Sequence, residues 1–353
     1  MSMRARTVDW ALLVLVTFEV VTGLISFTVG RPQGRLLFVI HGWVGLSIIV
    51  LLFWKLRRVS RRVTELRHWR PATIVSVLLS VTAIGSWVTG IVWTTLQWPV
   101  DYPSGMILHT TFGILLLMLV FWHMVIRYRP LSRRDVRDRR SAFSALGVLL
   151  ASGLVWTTQH QSQQLLQTPG ATRRFTGSRS AGPERGNGAV PVTMWMLDRP
   201  APLDLEDYTL SLSGLINRTA SYGLERLASM DHQDLKAVID CTGGWYSHQV
   251  WSGVPVSDLL ELAQPTLGAR YVSFVSATGY RWSLPIQEAY GALLATHVGG
   301  ELLSHGHGAP LRLVAPGRRG FQWVKWVVAI NVISGAALGQ WRAIFSSGLR
   351  KTD

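Results

Sequence analysis

Before residue 160 the chain carries five apolar runs: Trp10–Val29, Leu36–Trp54, Ala72–Thr94, Met106–Ile126 and Ala142–Thr157. Nothing else in it restricts the fold as strongly. About 20 apolar residues cross a bilayer as a helix, and in hydrocarbon only helices and closed barrels satisfy their own backbone. The first four runs reach that length, and the fifth is shorter. The connections sort by charge. Lys55–Arg70 and Arg127–Arg140 are crowded with arginine, and the N-terminus carries Arg4 and Arg6. The alternate connections hold Arg31 and Arg35 in one and no cation in Leu96–Gly105. The positive-inside rule places the N-terminus and both basic loops in the cytoplasm. Five crossings then put everything after Thr158 outside. The net charge of +15 is thus a topology signal, and nucleic acid is not an expected partner.

The spans contain a repeat. Val21-Thr22-Gly23-Leu24 echoes Val88-Thr89-Gly90-Ile91. His41, Gly45 and Phe53-Trp54-Lys55 correspond to His109, Gly113 and Phe121-Trp122-His123. Two duplicated hairpins predict a four-helix bundle with a fifth helix appended. Ionisable side chains inside a span need a reason. His41 and His109 hold equivalent places near the outer ends of their helices. Facing one another, they can ligate one haem iron from both sides, with Gly45 and Gly113 clearing a turn for the porphyrin. The alternative is an interhelical hydrogen-bonded pair. His123 follows His109 by fourteen residues, which returns to the same helix face ~21 Å along the axis. That spacing is similar to dihaem cytochromes b. The repeat puts Lys55 where a partner of His123 would stand. His68 is the remaining candidate, or else an interfacial histidine in a basic loop. One or two b-type haems are expected.

Residues 159–189 are polar and rich in Gly, Ser, Arg and Gln, and read as a linker between a membrane domain (1–158) and a second domain (190–353). The second domain alternates short strand-like runs with turns: Tyr208–Ser213, Tyr271–Val275, Leu311–Val314 and Val327–Val332, with a short helix over Val256–Leu262. The expected class is therefore an all-α transmembrane bundle followed by a mixed α+β, strand-rich domain. No Gly-x-Gly-x-x-Gly after a strand, Walker A, His-Glu-x-x-His or paired-cysteine zinc pattern occurs. The sole cysteine, Cys241, sits in Val238-Ile239-Asp240-Cys241-Thr242-Gly243-Gly244. A thiolate on a Gly-Gly turn after a strand end is presented to a ligand, as a soft metal ligand or a nucleophile. The alternative is a small buried hydrophobe. Downstream, Arg312, Arg318, Arg319 and Lys325 form a basic group able to hold an anion such as a phosphate. Arg312 and Lys325 lie within apolar runs, which argues against a solvated patch.

Asp240-Cys241-Thr242-Gly243-Gly244-Trp245-Tyr246-Ser247, then Trp251-Ser252-Gly253-Val254-Pro255, resembles the sulfite-oxidase-type molybdopterin domain. A second block follows in the right order, His307-Gly308-Ala309-Pro310-Leu311-Arg312-Leu313-Val314-Ala315-Pro316-Gly317, then Gly320-Phe321 and Val324-Lys325-Trp326. The likeness covers most of Val190–Val332 and is nearest the bacterial periplasmic, methionine-sulfoxide-reductase-like branch. It implies that Cys241 binds molybdenum. It also implies that Arg312, Lys325, His307 and the backbone around Trp323 and Val324 hold the molybdopterin. Ser276 falls where a pterin-contacting hydroxyl is expected, and Thr193 and Trp195 where an N-terminal segment meets the cofactor. Some members carry Asn at the position of His307. His248 is either at the pterin edge or on the surface. The Arg-Asn-His segment with which animal sulfite oxidases bind their anion is absent from this sequence. Tyr280 and Arg281 are the candidates for lining the substrate pocket, or else ordinary turn residues. Arg139-Arg140-Ser141-Ala142-Phe143 resembles a twin-arginine export signal placed internally, and also reads as two more cytoplasmic arginines.

The expected function is a bacterial cytoplasmic-membrane molybdoenzyme whose molybdenum domain docks outside over the outer haem. Electrons would pass from membrane quinol through haem b to molybdenum, which reduces an S- or N-oxide, small or protein-bound, such as methionine sulfoxide. The alternatives are a sulfite-type dehydrogenase donating to quinone and a non-catalytic electron-transfer module.

Overall fold

A computed structural model describes residues 3–348 apart from 66, 68, 97, 100–102, 128, 129, 131–138 and 195–197. His68 and Trp195 therefore lie outside the described residues. The chain divides into two compact units, Met1–Arg179 and Ser180–Asp353.

The first unit is helical: α1 (Ala5–Ser26), α2 (Arg35–Thr64), α3 (Pro71–Thr95), α4 (Gly105–Arg127) and α5 (Arg139–Leu165). All five are long and apolar enough to cross a membrane. The first two form one hairpin and the next two a second, and each pair packs mainly on itself, as the repeat requires. Pro71 opens α3, where its missing N–H costs nothing. The fifth helix is longer than its apolar core, because the polar residues 158–165 continue it. It locks onto α2 by exchange of indoles and glycines: Trp43 lies against Gly153 and Trp156 against Gly42, where any Cβ would collide. The Trp43 indole also donates to the Leu149 carbonyl. After α5 the chain folds back on the C-terminal end of α3. Arg179 stacks over Trp93 at 4.6 Å and donates to the carbonyls of Trp93 and Leu96. Arg173 donates to Thr94 O at 3.3 Å. Cations bonded to the last carbonyls of a helix satisfy acceptors that the helix leaves open.

The second unit holds two sheets. One runs β3 (Ala220–Gly223), β2 (Thr209–Gly214), β11 (Val327–Ile333), β6 (Tyr271–Ser276), β7 (Arg281–Pro285). The β2–β11 pair is parallel and the rest antiparallel. Leu210, Leu212, Val272, Phe274, Ile330 and Val332 are buried on its inner face, following the two-residue period of strands. The other is six-stranded, with β5 (Trp245–Pro255), β8 (Leu293–Val298) and β10 (Arg312–Val314) in line. Here β4 (Gln233–Asp240) lies on β5 and β9 (Glu301–Leu302) on β8, and the two-residue β1 (Arg179–Ser180) stands at the unit boundary. The short helix α6 (Leu224–Ala228) follows β3, and α7 (Val256–Ala263) follows β5. The strand-rich α+β class and every strand expected from sequence are present.

Candidate active site and the histidine pair of the bundle

Strands β4 and β5 are antiparallel partners, and Cys241 begins the turn that joins them. Its N–H donates to Trp245 O at 2.8 Å and its carbonyl accepts from Gly244 N at 3.1 Å. Gly244 adopts φ +96°, a conformation only glycine reaches cheaply, so the second glycine of the pair is needed for the turn itself. The thiol is buried, with 8% of the residue exposed. Gly243 N–H reaches Sγ at 3.3 Å, and Thr193 Oγ1 lies 3.7 Å away. Burial pushes the thiol above its ordinary range, while Gly243, Thr193 and Arg319 oppose the shift.

A second segment closes over this turn. A Cβ on Gly320 would sit 3.3 Å from Cys241 Cα, so glycine permits the two backbones to meet. The neighbouring Arg319 is 4% exposed. It donates to Cys241 O at 3.1 Å and pairs with Asp240 at 2.9 Å. The two segments are thus tied by one buried ion pair beside the cysteine and by a hydrogen bond to its carbonyl. Tyr280, 4% exposed, donates its hydroxyl to Phe321 O at 2.7 Å and braces the same segment from below.

Arg312 on β10 is 3% exposed. It donates to His307 O at 2.9 Å and lies 5.5 Å over the Trp251 ring, while its Nε is buried without an acceptor. Burial lowers its pKa to about 10, and the charge of Cys241 pulls it back up. Lys325 donates to Thr193 O at 2.9 Å and Gly306 O at 2.6 Å. Burial and then Arg312 lower it to about 7, against the attraction of Cys241 and Asp198. His307 is spoken for at both nitrogens. Ser304 Oγ meets Nδ1 at 2.7 Å and Val190 O meets Nε2. A carbonyl can only accept, so Nε2 carries a proton, and burial lowers the ring's pKa to about 4, which favours the neutral form. Its ring holds the 304–307 turn against Val190, and its carbonyl orients Arg312.

The remaining candidates stand further off. Arg318 is held by Glu288 through two bonds of 2.7 and 3.1 Å. Trp323 is buried and donates to Arg318 O at 3.2 Å, and Val324 O accepts from Leu313 N at 2.8 Å. Ser276 is buried at the end of β6, 3.0 Å from Thr278 Oγ1. Arg281 is exposed at the start of β7, and His248 is exposed on β5 against Tyr246. Asp240 and Asp198 were not singled out in the sequence. The first precedes the cysteine directly and could have been marked by that place, whereas nothing around Asp198 distinguishes it.

Two buried guanidiniums, Arg312 and Arg319, and the half-buried Lys325 thus gather near one thiol with two carboxylates among them, and one guanidinium N–H has no acceptor. An anionic ligand that also takes a thiolate fits this donor set, because it supplies the missing charge and acceptors. Metal coordination would remove the thiol proton that burial retains.

In the helical unit, the rings of His41 and His109 are 6.1 Å apart between centroids, at 86°. His41 Nδ1 meets Thr22 Oγ1 at 3.0 Å, and His109 Nδ1 donates to Ser86 O at 2.7 Å. Each therefore has one nitrogen fixed, as metal-ligating imidazoles do. A separation of this size would let both imidazoles hold one metal ion between them. The glycines that make room are Gly23 and Gly90, whose Cβ atoms would lie 3.4 Å from the His41 ring and 3.0 Å from the His109 ring. Gly113 is open, with nothing within 4 Å. Gly45 faces Glu19 Oε1, where a Cβ would be 2.9 Å away, and this carboxylate is 3.3 Å from His41 Nε2. Ligation through that nitrogen requires Glu19 to turn aside. Glu19 and Ser86 are 67 residues apart, the same step as Val21 and Val88, as are Asp9 and Ser76. Lys55 pairs with Asp9 at 3.2 Å, and His123 Nδ1 lies 3.3 Å from Ser76 Oγ. The Asp9–Lys55 ion pair thus stands in the first hairpin where Ser76–His123 stands in the second.

Residues 197–341 match the family described as oxidoreductase molybdopterin binding domain. The chain is 30% identical to the sulfite oxidase of Arabidopsis thaliana, over 44% of this chain and 47% of that one. It is 32% identical to the protein-methionine-sulfoxide reductase catalytic subunit MsrP of Xanthomonas campestris, over 37% and 46%. It is 28% identical to the Azospira oryzae chain YedZ1, named as a subunit of a protein-methionine-sulfoxide reductase, over 41% and 56%. The chain spans about half the length of the curated relatives it matches. Residues 197–341, which hold the Cys241 turn and the cations around it, are thus similar to the oxidoreductase molybdopterin binding domain and to the sulfite oxidase and MsrP chains that match there.

Proposed function

We propose that this chain is a membrane-anchored molybdenum oxidoreductase. In this reading it takes electrons from membrane quinol through haem b and reduces an S- or N-oxide, with methionine sulfoxide the first substrate to test. The observation that carries it is the meeting of the buried Cys241, Arg312 and Arg319 with the half-buried Lys325 in one site. Cys241 supplies the thiolate ligand. Arg312 and Lys325 hold the anionic pterin, Lys325 anchored through Thr193 and Gly306. His307 keeps Arg312 aimed, and the Asp240–Arg319 pair fixes the cysteine carbonyl so that the sulfur keeps one position. Tyr280 steadies Phe321 from within the core. Bound there, the molybdenum cofactor supplies two-electron oxygen-atom transfer, while the chain sets geometry and charge. The spacing of His41 and His109 supports one haem b between them, with quinol as the electron source.

The likeness to a sulfite oxidase keeps the reverse flow as the second reading, sulfite oxidation with electrons passed to quinone. One assay decides between them. Purified protein is given reduced viologen with methionine sulfoxide, and ferricyanide with sulfite. Viologen oxidation with no sulfite-dependent ferricyanide reduction is expected, and the opposite pattern establishes the second reading. Cys241→Ser should keep the pterin yet lose turnover and the molybdenum–thiolate absorption band. Wild-type turnover in that variant would remove the cysteine from the metal.

A further inference from the structure

The last described helix, α8 (Gly339–Ser346), turns its apolar side chains outward. Its polar Gln340 is 8% exposed, with Ala343 buried beside it, and Gln340 Oε1 accepts from Ser283 N at 3.0 Å. The Trp282 and Trp341 rings meet edge to face at 5.1 Å. Just beyond the helix, Gly348 N donates to Thr278 O at 3.2 Å. The helix is thus fixed along β7, the edge strand of its sheet. Away from the sheet stand Leu338, its N-cap residue, with Trp341 and Phe345, at 87, 47 and 79% exposure. Spaced three and four apart, they form one stripe. A surface helix ordinarily buries such a stripe, and a contiguous apolar patch left in the open marks an interaction site.

Charge, size and attachment identify what covers the stripe. Arg342 is exposed next to it. Arg350 and Lys351 follow in the sequence, and residues 302–352 contain no Asp or Glu. The complementary surface therefore joins negative charge to an apolar phase. Eight residues of helix span only ~12 Å, which is far short of the ~800 Å² that each partner contributes to a stable protein interface. A bilayer needs no shaped counterpart. It takes up an amphipathic helix with Trp and Phe at the acyl boundary and Arg among the headgroup phosphates. It is also the apolar phase that this chain carries with it. Five of its helices are long and apolar enough to cross a membrane, and the second unit continues on the same peptide after the fifth. Such tethering raises the effective concentration of lipid at the second unit.

We propose that α8 is a membrane-surface anchor of the second unit, with Leu338, Trp341 and Phe345 at the acyl boundary and Arg342 on anionic headgroups. The proposal rests on the membrane-anchored reading above. Its test uses the full chain in nanodiscs of phosphatidylcholine and phosphatidylglycerol, with the photo-reactive residue benzoylphenylalanine in place of Phe345. After irradiation, mass spectrometry should find phospholipid joined to residue 345. The same replacement at Phe121, 67% exposed on α4, reports insertion of the spans, and at Lys236, exposed on β4, it reports chance encounters with lipid. Lipid on 121 and none on 345 overturns the anchor while the membrane reading stands. No lipid on either position removes both. Equal yields at 345 and 236, or coupling of 345 to a second copy of the chain, also overturn the anchor. In discs of phosphatidylcholine alone the yield at 345 should fall severalfold, and Arg342→Gln should abolish that difference. A yield indifferent to headgroup charge would take the anionic lipid out of the proposal.

Discussion

At the scale of single residues, charge burial dominates the second unit. Asp240 and Arg319 are each almost fully enclosed, and the pair ties the cysteine turn to the 318–322 segment. Removing one partner of such a pair leaves the other buried and uncompensated, at about 3–5 kcal/mol. Asp240→Asn is therefore expected to lower the thermal transition of the second unit and its molybdenum content. Adding Arg319→Met should return much of the stability and none of the metal. Lys325 gives a pH dependence. Its folded pKa of about 7 lies below the ordinary lysine value of about 10.4, so between those values the unfolded chain binds more protons than the folded one. Stability of the cofactor-free protein then rises with pH across that window and is lost as pH falls toward 7. Its melting temperature should increase from pH 7 to pH 9, and Lys325→Met should flatten the rise. Cofactor loading should flatten it too, because a bound anion favours the ammonium.

At the scale of elements, the duplicated hairpin works through glycines placed against histidines. Gly23 and Gly90 occupy the same repeat position and each admits the imidazole of the opposing helix. Gly90→Val should push the His109 ring out of line and reduce haem incorporation severalfold. Gly113→Ala, facing open space, should leave it near the wild-type level, and the absorbance of reduced pyridine haemochrome per chain measures both. Equal loss in the two variants would mean that the open space beside Gly113 is needed as much as the clearance at Gly90, since alanine is the better helix former. The inner ends of the hairpins differ in kind. Lys55 is committed to Asp9, and the described surroundings of His123 are Ser76 with the charges of Lys55, Arg127 and Asp9. One haem per chain is accordingly the expected stoichiometry. Two haems would direct attention to His68.

At the scale of the whole molecule, the distribution of arginine is the strongest statement the chain makes. Translocating Lys55–Arg70 or Arg127–Arg140 is unfavourable, and the five candidate spans then predict that the second unit lies on the far side from the N-terminus. A reporter joined after Ser180, at the unit boundary, tests this. Alkaline phosphatase should be active there and a cytoplasmic-type fluorescent reporter dark. The reverse result would place Cys241 in the cytoplasm and require α5 not to cross. The α2–α5 lock of Trp43, Gly153, Trp156 and Gly42 argues that α5 crosses with its neighbour.

The sequence by itself determined what depends on local composition and periodicity. Span lengths, the hairpin repeat, the strand-rich second domain and the prominence of Cys241, His41 and His109 all follow from apolar runs, a lone cysteine and ionisable residues in hydrocarbon. What it left undecided depends on pairings between distant segments. Nothing local separates Arg318, neutralised by Glu288, from Arg319, buried against Asp240. Gly23 and Gly90, which lie against the two imidazoles from the opposing helices, carry no local signal, because an imidazole that reaches across the bundle meets its neighbour's backbone and not its own helix. Glu19 carries a sequence signal, an ionisable group within a span, but its place beside His41 is set by helix packing. Tyr280 reads as a pocket-lining residue or an ordinary turn residue, and only the fold reveals that its ring is buried and its hydroxyl holds Phe321. Buried polar groups must find partners wherever the fold supplies them, and the tertiary structure alone decides which partner that is.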